Sequence, residues 1–86
     1  MRHHLEILNN IDNLLSDNGL EEERIALKKE VTASTTGSEL CLRSGSLLLT
    51  LQKSQSRLSI VAEDLIKEFI SYCHAHGLYP KPQDET

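Results

Sequence analysis

The side chains best suited to chemistry sit toward the two ends of this chain: His3 and His4 near the start, and Cys73, His74 and His76 near the finish. Imidazole nitrogen and thiolate sulfur are the usual ligands of zinc and related metals. One site would require the two ends to meet. The spacing Cys73-x-x-His76 puts two ligand types on one side of a helix, but any helix produces it by chance, and no paired cysteines supply the rest of a structural zinc motif. Solvated histidines and a small apolar thiol account for the same residues. A metal-binding or sensory protein using His3, His4, Cys73, His74 and His76 is therefore the alternative reading, with no metal assigned.

Other chemistries find less to work with. A nucleophilic cysteine needs a base and an activating environment beside its thiol, and Arg43, two positions after Cys41, does not share its helix face. Glu63, Asp64 and Glu68 read as the solvated outer face of an amphipathic helix. The run Glu21, Glu22, Glu23 is explained by electrostatics at a helix start. Gly19, Gly37, Gly45 and Gly77 are scattered, whereas a phosphate-binding loop gathers its glycines. No catalytic residue and no cofactor is expected. The segment Tyr79-Pro80-Lys81-Pro82 has the make-up of a polyproline ligand, although a frayed terminus is the simpler account.

The elements that would position these residues read as helices. Leu5, Leu8, Ile11 and Leu15, widened by Ile7 and Leu14, recur at helical spacing and predict a first helix from about His3 to Ser16, ended by Asp17-Asn18-Gly19. Acidic Glu21 to Glu23 followed by Lys28 and Lys29 match the polarity of a second helix, whose apolar face of Leu20, Leu27 and Val31 is thin. Small hydroxyl residues from Thr32 to Thr36 end it.

Thr36 and Glu39 have the spacing of a capping box, which predicts a third helix carrying Leu40, Ser44, Leu47, Leu48 and Leu51 on one stripe. The competing possibility is an α+β fold with a hairpin at residues 39–52 turning at Ser44-Gly45-Ser46, because Gly45 inside a helix costs about 1 kcal/mol. Leucine favours helix, and the segment has no β-branched residue except Thr50, so the helix is preferred. After a polar connector from Lys53 to Ser56, Ser59 is the expected cap of the fourth helix. That helix carries Val61, Leu65, Ile66, Phe69, Ile70 and Cys73 and stops at Gly77.

The expected architecture is therefore all-α, a small antiparallel bundle of four helices. Residues 1–77 form its single domain and residues 78–86 an extended, mobile tail.

With 86 residues, 38% of them hydrophobic and aromatics confined to Phe69, Tyr72 and Tyr79, the core must be small and built of leucine and isoleucine. Folding such a chain removes only roughly 64% of its unfolded surface from water, so burial against a second copy would help it. Thirteen acids against nine Lys and Arg give a net charge of −4. That balance lacks the basic stripe that nucleic-acid binding requires. No stretch approaches the ~20 apolar residues of a membrane span, and no apolar signal core follows Met1. Two cysteines are too few for a secreted disulfide scaffold. A cytoplasmic protein is expected, with neither nucleic acid nor membrane as partner.

Apolar excess is the remaining functional feature. Ile25, Leu42 and Leu49 fall off their helix stripes, and with Phe69 on the broad face of the fourth helix they are the expected interaction positions. The function read from sequence is a non-enzymatic protein–protein interaction module of adaptor, chaperone-like or regulatory type, acting through an apolar helical face as a homodimer.

Overall fold

The computed structural model describes residues 3–82 and folds them into four α-helices: α1 (His4–Asp17), α2 (Glu21–Ala33), α3 (Gly37–Ser54) and α4 (Ser56–Ala75). Local chemistry accounts for most of the ends. Both α1 and α4 close with a left-handed glycine, Gly19 at φ 71° and Gly77 at φ 74°. At each, two amides turn back onto the last carbonyls: Leu20 N–H to Leu15 O (2.8 Å) and Gly19 N–H to Ser16 O (3.2 Å), then Leu78 N–H to Cys73 O (2.9 Å) and Gly77 N–H to His74 O (3.0 Å). This double closure satisfies carbonyls that the helix itself leaves unbonded.

α3 begins as its cap predicts, with Thr36 Oγ1 accepting from Glu39 N–H at 3.1 Å. The reciprocal arm takes another course. The Glu39 carboxylate accepts from Thr35 Oγ1 at 3.2 Å and pairs with Arg43 at 3.6 Å. α3 then continues unbroken through Gly45, so residues 39–52 are helix and the hairpin is excluded.

The expected polar connector shrinks to one residue. α4 starts at Ser56, not at Ser59, and Gln55 serves both neighbours: its N–H donates to Leu51 O at 2.7 Å and its side chain accepts from Arg57 N–H at 3.3 Å. Lys53, Ser54 and Ser56 are polar because they are exposed on helix ends. Composition alone does not separate that situation from a loop.

The helices pack as a ring, α1 beside α2 and α4, and α3 beside α2 and α4. The starts of α1 and α3 therefore share one end of the bundle with the finishes of α2 and α4. The core is aliphatic: Ile7, Leu8, Ile11 and Leu15 of α1 meet Leu27, Leu40, Leu48 and the α4 stripe Leu58, Ala62, Ile66, Phe69 and Cys73. Ser44 is fully buried within it, and its hydroxyl is the buried side-chain polar atom left without a hydrogen-bond partner among the described residues. Among the described residues, ion pairs link neighbouring helices at the surface, Arg24 with Asp12 at 3.1 Å and Arg43 with Glu30 at 3.0 Å.

Packing explains the helical glycine. A Cβ at Gly45 would stand 2.6 Å from Cγ and 2.7 Å from Cβ of Pro80, and 3.3 Å from Cδ1 of Ile70. The chain beyond α4 folds back so that Pro80 is buried against α3. The segment 78–82 lacks regular secondary structure, as expected, but packing does not stop at Gly77. The rest of the expected tail, residues 83–86, lies outside the described residues.

Candidate functional site

The two histidine-bearing ends do meet. His3 stacks on His4 with ring centroids 4.2 Å apart, His4 on Tyr72 at 5.0 Å, and Tyr72 on His76 at 4.4 Å. The rings tilt by 31° to 37° between neighbours, so they form a continuous aromatic row across the α1 start and the α4 finish. His4 Nδ1 and the Tyr72 hydroxyl share a hydrogen bond of 3.0 Å, while His3 Nδ1 accepts from Leu5 N–H at 3.2 Å and so caps α1. Tyr72 is the member that sequence reasoning missed. Its signal was present, since Tyr72 precedes His76 by four positions and so shares its helix face.

The remaining proposed ligands stand apart. His74 stacks on Tyr79 at 4.9 Å. Cys73 is fully buried, and its Sγ donates to the Cys41 carbonyl at 3.7 Å. Burial, with the adjoining Cys41 thiol as a further cause, pushes the Cys73 thiol up to about 12, and burial also raises that of Cys41. Thiols so held stay protonated at neutral pH, which makes them weak nucleophiles and weak ligands. Among the described residues no group of three His, Cys, Asp or Glu side chains is placed to hold a metal ion.

The imidazole row has a consequence for stability. Burial first, and then the neighbouring His3 and His76 rings, hold His4 below the usual histidine value of 6.5. A base with a depressed folded value is protonated more readily in the unfolded chain, so stability is lost as pH falls below about 6.5. The loss levels off once folded His4 also takes up its proton. The urea midpoint is expected to drop between pH 7 and pH 5.5, and His4→Gln should flatten that drop; an equally steep fall in the variant would place the sensitivity elsewhere.

The expected interaction residues are not brought into one patch. Phe69 is fully buried and belongs to the core, a correction to its expected place on a contact surface: the broad face of α4 is turned inward against the other helices. Leu49 is half-buried, and Leu42 lies beside Glu30, Arg43 and Ser46 on the α2–α3 side. Ile25 is the strongly exposed member, with 64% of its surface open. Leu5, expected on the core stripe, instead forms one wall of a groove of about 370 Å³ between α1 and α2, where Leu8, Leu27 and Val31 supply the rest of the apolar lining and Lys28 a charged edge. Ile60 on α4 is open by 79%, another position that the sequence did not single out.

This geometry defines the protein's class as an antiparallel four-helix bundle with an aromatic–imidazole end and an apolar α1–α2 side. No protein-family model matches the chain, and no curated protein or solved structure matches it either. Among the described residues no helix is long and apolar enough to cross a membrane.

Proposed function

We propose that this protein is a non-enzymatic interaction module of the cytosol, of adaptor, chaperone-like or regulatory type, that binds protein through an apolar helical face and pairs with a second copy of itself. The exposure of Ile25 in the second turn of α2, beside Thr32, Ala33 and the stems of Lys28 and Lys29, carries this reading. A branched aliphatic side chain gains about 1.5–3 kcal/mol when it is fully removed from water. α2 contributes only Leu27 as a fully buried residue of its own, so it has the most to gain from a cover.

Sedimentation equilibrium from micromolar to millimolar concentration tests the reading. The wild-type chain is expected to approach twice its monomer mass and Ile25→Ser to remain monomeric. A wild-type protein that stays monomeric at millimolar concentration would remove the homodimer.

A further inference from the structure

The exposed charges of α2 are arranged symmetrically about Ile25. Glu21 and Glu22 precede it by four and three positions, and Lys28 and Lys29 follow it by three and four. At helical spacing these five residues share one side of α2, and all five are exposed. Glu22, Lys28 and Lys29 make no ion pair among the described residues, and Glu21 makes only the 3.5 Å contact with Arg24.

We propose that two copies associate through α2, antiparallel, with the two-fold axis at Ile25. This arrangement rests on the homodimer reading above and supplies its geometry. A half-turn about an axis through Ile25 sets Ile25 against Ile25, Glu22 against Lys28 and Glu21 against Lys29, each pairing occurring twice as an isologous interface requires. Thr32 and Ala33, with the stems of Lys28 and Lys29, border Ile25 and extend the apolar strip on one side.

Charge complementarity favours a second copy over other occupants. A uniformly acidic helix would suit Lys28 and Lys29 but be repelled by Glu21 and Glu22, and a uniformly basic one would meet the reverse problem. A partner helix must carry acid at one end, base at the other and an apolar residue between, which α2 itself does. Parallel pairing would set Glu against Glu and Lys against Lys, so the charges select the antiparallel orientation.

Charge reversal tests this. The double variant Glu21→Lys/Glu22→Lys makes the face wholly basic, and Lys28→Glu/Lys29→Glu makes it wholly acidic. Each alone is expected to self-associate at least tenfold more weakly than wild type in sedimentation, and an equimolar mixture to recover association as a heterodimer. Because lysine at the start of α2 opposes the helix dipole, a second experiment avoids it: Glu22→Cys and Lys28→Cys proteins, mixed under oxidised glutathione, are expected to form a mixed disulfide dimer far faster than either does alone. If the wild type dimerises while the reversals change nothing, or the cysteine variants cross-link only with themselves, the α2 arrangement is overturned and the homodimer stands. A monomeric wild type overturns both.

Discussion

Replacing Phe69 with alanine is expected to remove about 3–5 kcal/mol of folding stability, the range for deleting a large buried aromatic side chain. Phe69 is the single phenylalanine, has no exposed surface and lies within the aliphatic core. A protein of this length has roughly 4–13 kcal/mol to lose at 0.05–0.15 kcal/mol per residue, so the variant should sit at the edge of unfolding in water. The leucines and isoleucines of the core cannot collapse fully into the vacated space, because the helices on which they stand are held apart by the rest of the packing. Urea titration of wild type and Phe69→Ala, compared at equal slope, checks the magnitude. A loss under 1 kcal/mol together with weakened self-association would return Phe69 to a surface role.

Gly45→Ala is expected to act against its intrinsic propensity. At an open helical site the change stabilises by about 1 kcal/mol. Here the new methyl would meet the rigid Pro80 ring at 2.6 and 2.7 Å. Overfilling a packed contact costs about 1–3 kcal/mol, so the net effect should be a loss of up to about 2 kcal/mol. In a Pro80→Gly background both ring atoms are gone and only the end of the Ile70 side chain, at 3.3 Å, has to give way, so the same substitution should stabilise by up to about 1 kcal/mol. The sign change between backgrounds is the diagnostic result, read from a double-mutant cycle. Stabilisation by Gly45→Ala in the wild-type background would mean that Pro80 does not rest on α3.

Both predictions turn on contacts between residues distant in sequence, and these were what the sequence left open. Gly45 read alone is a helix defect and a candidate turn; Pro80 read alone belongs to a loose tail. Together they form one close packing contact across α3 and the returning chain. Phe69 could be placed on an apolar helix face, but only the neighbouring helices decide that this face is covered. Leu5 shows the reverse, continuing the stripe of Leu8 and Ile11 and yet standing at the groove wall beside Val31.

The candidate site divides along the same line. His3, His4 and His76 were legible as a possible meeting of chain ends, because an even number of antiparallel helices returns the chain to its starting end. The place of Tyr72 between His4 and His76 was only half legible: its helical spacing to His76 was visible, but its contact with His4 depends on α1 lying against α4. The Glu–Ile–Lys pattern of α2 was visible as helix polarity; its value as a self-complementary surface depends on Ile25 being left uncovered by α1 and α3.

The amino-acid sequence by itself favoured four helices over a hairpin at residues 39–52, and it located where three of the helices begin and where three of them stop. Caps, left-handed glycines and 3.6-residue periodicity act within a few positions of one another, so local order is enough to read them. Tertiary structure alone decided which apolar residues stay in water, why a glycine sits inside α3, and that a single residue joins α3 to α4. Those outcomes depend on surfaces contributed by residues tens of positions away, and a side chain's burial is a property of what is brought against it.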